Sequence, residues 1–187
     1  REFALDAGYS RRFTDRFSGG IVLRYIHSDL TNGQSSVNGE ETKPGRSFAG
    51  DLGLYYQDDI QVGDRDAQWA LGLNISNIGT AVSYTDDAPK TPIPTNLRLG
   101  GRFSYDFNSD HTLSFLADMN KLLVPTPAAY EQDSITSELI VVRGKEAPGS
   151  VIMGMFQSLY DAPGLPRSNG TYSVASEEIY EISFGLG

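Results

Sequence analysis

Few residues in this sequence could carry out chemistry. His27 and His111 are the only two imidazoles among 187 residues, and neither has an Asp or Glu at metal-ligand spacing on the same strand face. We therefore interpret both as surface histidines. The sequence has no Gly-x-Ser-x-Gly turn, no Gly-rich phosphate loop and no Cys. It predicts no enzyme, no cofactor and no metal site.

Acidic residues form the other group with chemical potential, at Asp58-Asp59, Asp64, Asp66 and Asp86-Asp87. Such carboxylates could bind calcium or act as the acid and base of a glycosidase. The Asp-x-Asp-x-Asp-Gly calcium loop is missing, and carboxylates on predicted turns are usually solvated. We favour solvated charge. The formal net charge of −9 also argues against a nucleic-acid partner.

The elements that must position these residues show a period of two. Between Asn96 and Phe107, apolar side chains such as Leu97, Leu99 and Phe103 alternate with polar ones, which is typical of a β-strand. Seven segments share this pattern. We predict strands near 2–13, 18–29, 46–56, 68–78, 96–107, 111–121 and 177–187, with a long connection at 122–176.

Two all-β architectures fit this pattern, a soluble β-sandwich and a transmembrane antiparallel β-barrel. The predicted strands have 11 or 12 residues, whereas soluble strands usually have about 5–6. The connections 30–45, 79–95 and 122–176 are long and alternate with shorter ones, as outer loops and periplasmic turns do. No run of 18 apolar residues exists, so a transmembrane helix is excluded. We favour the barrel.

In a barrel, the two strand faces would meet lipid and lumen. We expect the outward face to carry Phe3, Leu23, Leu73, Leu99, Phe103, Phe115 and Phe184. The lumen-lining side chains would be Asp6, Arg24, Asn74, Arg98 and Arg102. Opposite charges there can neutralise one another in a packed lumen, although a selective channel lined by these charges is the alternative.

The 122–176 connection is too long for a simple link and is rich in apolar residues. Within it we predict a short helix from Ser150 to Tyr160, with Ser150 as the N-cap. We expect the connection to bind a protein partner, although a lid over its own barrel is the alternative. The predicted partner-binding residues are Leu122, Leu123, Val124, Pro125, Pro127, Ile152, Met153, Met155 and Phe156.

Several stretches resemble the PorV family of the type IX secretion system, found in Bacteroidetes-type bacteria. They are Gly-Leu-Asn-Ile-Ser-Asn-Ile-Gly at 72–79, Pro-Thr-Asn-Leu-Arg-Leu-Gly at 94–100, Asn-Lys-Leu-Leu-Val-Pro-Thr-Pro at 120–127 and Phe-Gln-Ser-Leu-Tyr-Asp-Ala-Pro-Gly at 156–164. The 120–127 run is the most specific. The resemblance extends over nearly the whole chain.

This resemblance implies a FadL-type outer-membrane barrel of fourteen antiparallel strands, of which seven are present here. It implies a secretion adaptor that binds the C-terminal signal domain of exported cargo and docks on the SprA/Sov translocon barrel. The surface attachment complex and outer-membrane lipid would be further partners. The rival function is a FadL-like transporter of a hydrophobic small molecule. The chain starts and stops within predicted strands, so we expect a partial barrel whose first and seventh strands do not pair.

Overall fold

The computed structural model describes residues 1–29, 36–37, 40–41, 43–84, 91, 93–133 and 138–187. The helices are α1 (Val151–Gln157) and α2 (Val174–Tyr180). The strands are β1 (Glu2–Arg12), β2 (Phe17–Ser28), β3 (Ser36–Val37), β4 (Glu40–Glu41), β5 (Gly45–Val62), β6 (Arg65–Gly79), β7 (Asn96–Asn108), β8 (His111–Leu122), β9 (Ala129–Gln132), β10 (Leu139–Arg143), β11 (Leu165–Pro166), β12 (Tyr172–Ser173) and β13 (Ile182–Leu186).

One large sheet contains seven strands in the order β1-β2-β5-β6-β7-β8-β13. From β1 to β7, each strand pairs antiparallel with the next strand in this order, with Asp6 opposite Arg24 and Asn74 opposite Arg98. β1 and β13 stand at opposite ends of this order. Among the described residues these two strands do not pair, as the sequence predicted.

The β5–β6 hairpin differs from the sequence prediction. We expected strands at 46–56 and 68–78 with a connection between them, but β5 and β6 extend until only Gly63 and Asp64 separate them. Gly63 has φ +64°, a conformation that glycine adopts without steric cost. The acidic pair that suggested a turn is in the ladder, where Asp59 accepts a hydrogen bond from Gln68 Nε2 at 2.7 Å. Asp58 pairs with Arg16 at 3.0 Å.

The apolar face of the sheet has aromatic side chains near both ends and aliphatic ones between them. Near the short turns, ring pairs form between Phe13 and Phe17, between Tyr56 and Trp69, and between Tyr105 and Phe107. Near the long connections, Tyr25 contacts both Phe3 and Phe48. We call these the short-turn band and the loop-end band. Leu23, Leu52, Leu54, Leu71, Leu73 and Leu99 are among the aliphatic residues between them.

Residues 120–183 form a second compact unit, separate from the unit of residues 1–119 and 184–187. The 122–176 connection is therefore structured: it contains the β9–β10 hairpin, α1 and the short β11–β12 pair. The predicted helix is found, but it ends at Gln157. Ser150 occupies the N-cap position without a side-chain capping hydrogen bond.

The strand predicted at 177–187 is wrong in its first half, because α2 occupies Val174–Tyr180 and β13 begins at Ile182. Ser173 Oγ caps α2 by accepting a hydrogen bond from Ser176 N. Glu177 lies in the first helical turn, where a negative charge is favourable. These local interactions outweigh the strand-like alternation of the sequence.

Candidate docking surface and polar sheet face

The polar face of the large sheet contains a charged cluster around Arg24. Its guanidinium donates to both carboxylate oxygens of Asp6, at 2.9 and 3.2 Å, and to Asp51 Oδ2 at 3.2 Å. Its Nη1 also donates to Asn77 Oδ1 at 2.6 Å. One cation thus neutralises two carboxylates, one on each of the strands that flank β2.

Asn77 is a part of this cluster that sequence reasoning missed. It is the only described non-glycine residue with positive φ, at 59°, a conformation that Asn tolerates better than most residues. Its backbone N–H donates to Asp51 Oδ1 at 2.7 Å, and its carbonyl accepts from the buried Thr95 hydroxyl at 2.9 Å. The Asn-Ile-Gly sequence at the end of β6 was the available signal for this irregularity.

The other predicted lumen residues lie on the same face. Asn74 and Arg98 are directly opposite each other on β6 and β7, and Arg102 is opposite Ala70. Arg102 donates to Gln68 Oε1, while its Nε is buried without a hydrogen-bond partner among the described residues. The five predicted lumen residues therefore form two groups. Asp6 and Arg24 make one, and Asn74 on β6 with Arg98 and Arg102 on β7 make the other.

Replacing Arg24 with Met is expected to lower the free energy of unfolding by about 1–3 kcal/mol, because Asp6 and Asp51 would lose the hydrogen bonds that neutralise them. The matched control is Arg12→Met, since Arg12 reaches Asp15 at only 4.0 Å with both side chains largely exposed. Urea unfolding of the folded full-length protein measures both variants. Equal midpoint shifts for the two would show that the Arg24 cluster adds no stability.

Four of the nine predicted docking residues lie on α1, and three of these four are exposed. Ile152, Met153 and Phe156 are 59%, 61% and 62% exposed, and we call these three side chains the α1 face. No charged residue lies between positions 147 and 160. An uncharged helix that exposes a branched aliphatic side chain, a thioether and an aromatic ring is typical of a contact surface.

The remaining predicted docking residues are divided by burial. Leu122 and Pro127 are exposed, whereas Val124, Pro125 and Met155 are half-buried. Leu123 is only 7% exposed, so its side chain packs within the protein. Pro125 lies under α1, because a Cβ placed on Gly154 would be 3.1 Å from Pro125 Cγ. Pro125 therefore supports α1 from below, and Leu123 belongs to the interior of the protein.

A buried charged cluster, which we call the Lys121 clamp, holds this unit together. Lys121 Nζ donates to Glu178 Oε2 at 2.8 Å and to Glu181 Oε2 at 2.6 Å. Glu178 Oε1 also accepts from Ala162 N at 3.2 Å, and Glu181 Oε1 accepts from the Thr126 hydroxyl at 2.9 Å. The clamp joins the end of β8, the segment after α1 and helix α2.

Further backbone contacts fix the segment that follows α1. Glu177 Oε2 accepts from Gly164 N at 2.6 Å, and Asp161 Oδ2 accepts from Thr126 N at 3.1 Å. Asp161 is fully buried. The clamp and these bonds connect positions 13 to 60 apart in the chain, so no short sequence motif could have revealed them.

Among the residues that the structure describes, the other candidate sites of the sequence form no centre. Asp86 and Asp87 lie outside the described residues. His27 stacks on Phe3, and His111 Nδ1 is 3.0 Å from Asn108 Oδ1. Within the described ranges, no three His, Cys, Asp or Glu side chains come close enough to hold a metal ion.

No helix in the described part of the chain has the length and apolar character needed to cross a membrane.

These features define the class of protein: an all-β protein of long antiparallel strands, with one apolar and one polar face and a separate unit carrying an exposed helix. The family model of PorV, described as type IX secretion system protein PorV, matches residues 1–129. The chain belongs to this family, and it is a component of the type IX secretion system. A search of curated proteins finds no match. Both helices lie outside the matched residues.

Proposed function

We propose that this chain is part of an outer-membrane β-barrel that acts as a secretion adaptor. It would bind the C-terminal signal of exported cargo and dock on the translocon barrel of the type IX system. The observation that carries this proposal is the exposed, uncharged α1 face on the compact unit of residues 120–183. Membership of the PorV family supports the choice of partners.

The two aromatic bands support the membrane position. Phe17 and Tyr25 on β2 are eight residues apart, which corresponds to about 26 Å along a strand at about 3.3 Å per residue. A strand tilt of about 40° reduces this to about 20 Å, close to the about 25 Å apolar band of outer-membrane barrels. Aromatic side chains favour the two membrane interfaces. The lumen would then be lined by Asp6, Arg24, Asn74, Arg98 and Arg102.

The α1 face has the properties of an interface centre. Phe156 is the proposed anchor, because aromatic side chains dominate the energy of many protein interfaces. Met153 adds an adaptable thioether that can fit more than one partner surface. The Lys121 clamp fixes the segments that flank α1, which lowers the entropy lost on binding.

Replacing Ile152, Met153 and Phe156 together with Ser is expected to reduce translocon co-purification and cargo export by about 30-fold or more. This corresponds to losing a hot spot of about 2 kcal/mol. The full-length protein is expressed in its native membrane, and insertion and heat resistance are checked first. Pull-down and export are then measured.

The matched control is Ile179→Ser, which removes an equally exposed apolar side chain from α2. We expect this variant to retain the wild-type level of export. If the triple variant inserts correctly and exports cargo normally, the α1 face is not the docking site. If both variants lose export equally, the loss comes from removing any exposed apolar side chain of this unit and is not specific to the α1 face.

A second candidate, transport of a hydrophobic small molecule, is favoured by one observation. A concavity of about 590 Å³ opens on the polar face, where Arg98, Arg102 and Leu116 surround the bare backbone of Gly72 and Gly100. Its volume lies within the range of ligand pockets. Two results together would favour the transporter. The α1-face variant would still take up a labelled hydrophobic molecule, and the wild-type protein would not associate with the translocon.

A further inference from the structure

The apolar face of the large sheet contains a groove that no function described above uses. Its volume is about 630 Å³, which lies within the range of ligand-binding pockets. The side chains of this face that line it are Phe17, Leu54, Tyr56, Leu71, Leu73, Leu99, Ala117, Met119 and Phe184, with the backbone of Gly101 at its floor. We propose that this groove binds one acyl chain of a membrane lipid. The inference rests on the proposed membrane position of the strands.

The groove exists because two neighbouring strands carry small residues at the same level. A Cβ on Gly100 would be 3.8 Å from Asp118 Cβ, which places Gly100 beside Asp118 and therefore Gly101 beside Ala117. Leu71 stands opposite Gly101 on β6, and Leu99 lies one step along the same face of β7. The floor of the groove is therefore formed by the α-hydrogen of Gly101 and the methyl group of Ala117, and larger side chains surround it.

The chemistry of the walls selects hydrocarbon. Asp118 and Tyr55 also border the groove, but they belong to the polar face, where Asp118 lies beside Gly100 and Gly185. On the apolar face the side chains that line it are uncharged, and the Tyr56 hydroxyl is the polar group among them. Tyr56 belongs to the short-turn band, so the polar end of the groove lies where lipid headgroups begin. Between the two bands the sheet faces the apolar layer, where a flexible acyl chain can fill an irregular groove and gain dispersion contacts.

The groove can be filled without disturbing the strand. Ala117 is exposed, and replacement by Leu would project a larger side chain into the groove. Gly101→Leu is a second variant, since a Cβ at position 101 meets Leu71 Cδ2 at 3.6 Å and Ala70 O at 3.9 Å, which are ordinary contacts. Ala7→Leu is the matched control, because Ala7 is exposed on the same face, opposite Leu23 and outside the groove.

In the test, the full-length protein is extracted from membranes into polymer-bounded lipid discs and then transferred to detergent. Native mass spectrometry then measures the lipid that stays bound. Wild type and Ala7→Leu are expected to retain one bound phospholipid, while Ala117→Leu and Gly101→Leu lose it at least fivefold more readily. In wild type, a phospholipid with a photoreactive group on its acyl chain is expected to label Leu99, Ala117 or Met119.

Equal lipid retention in all variants, or labelling spread evenly over the apolar face, would overturn the acyl-chain site. Unchanged lipid together with loss of a co-purifying membrane protein in Ala117→Leu would assign the groove to a protein partner instead. If the wild-type protein is released from membranes by alkaline carbonate, the membrane position itself fails, and the proposed function fails with it. Stable insertion without a retained lipid rejects only the groove.

Discussion

Replacement of Lys121 with Met should destabilise the unit of residues 120–183 by about 3–5 kcal/mol, the typical result of removing one partner from a buried ion pair. The Lys121 side chain is only 6% exposed, and it is hydrogen-bonded to both Glu178 and Glu181. Without the ammonium group, two neighbouring carboxylates would remain in a poorly solvated site. Glu181 retains more contact with water, so the lower end of this range is expected.

Hydrogen exchange of the full-length protein measures this effect locally. The amides of Ala162 and Gly164 donate to Glu178 and Glu177, so opening of α2 exposes them. A loss of about 3 kcal/mol raises their exchange by about 100-fold, because each 1.4 kcal/mol is about tenfold. Amides in β2 and β5 should keep their wild-type rates.

Two further variants separate charge from packing. Lys145→Met removes an exposed ammonium that lies 4.1 Å from the centre of the Tyr160 ring, and it should cost about 0.5–1 kcal/mol. Lys121→Met combined with Glu178→Gln and Glu181→Gln removes the uncompensated charges, so much of the lost protection should return. If Lys121→Met leaves exchange at Ala162 unchanged, the clamp does not hold the unit together.

Strands such as β1 and β7 were predictable because the alternation of apolar and polar residues continues along them, whereas it misled at 177–181. The first predicted strand, 2–13, is found at Glu2–Arg12, and the fifth, 96–107, at Asn96–Asn108. A sheet with one apolar and one polar face requires a period of two at every position. Side-chain direction was therefore as predictable as strand position: Asp6 and Arg24 share a face and a hydrogen bond.

Interactions between distant segments were not predictable from the sequence. Lys121 is the last residue of the predicted strand 111–121. In the predicted strand 177–187, Glu178 and Glu181 are three residues apart and would lie on opposite faces, so nothing in the alternation brings them together. Their meeting depends on α2, which forms because Ser173 caps it and because its carboxylates find partners in the fold. Helix α1 was predicted from a short helical pattern and is confirmed, but the burial of Leu123 depends on tertiary packing.

The strongest test of the sheet's environment is Leu99→Arg. Leu99 lies on the apolar face opposite Leu73, between the two aromatic bands. An Arg near the middle of a membrane costs about 2–4 kcal/mol on the lipid face of a barrel. We therefore expect the full-length variant to unfold at lower denaturant concentration after reconstitution in lipid vesicles. Phe115→Arg, on the neighbouring strand, should show a similar loss if it lies at the same depth.

Ser104→Arg is the control on the opposite face of the same strand. Ser104 Oγ lies 2.8 Å from Ser114 Oγ, and the change removes this single polar contact while adding a charge to a face that already carries Arg98 and Arg102. Its expected cost is within about 1 kcal/mol. If Leu99→Arg loses more unfolding free energy than Ser104→Arg in lipid vesicles, the two faces of the sheet meet different media. Equal losses at the two positions would mean that the two faces meet similar surroundings, which would contradict both the membrane position and the lipid groove.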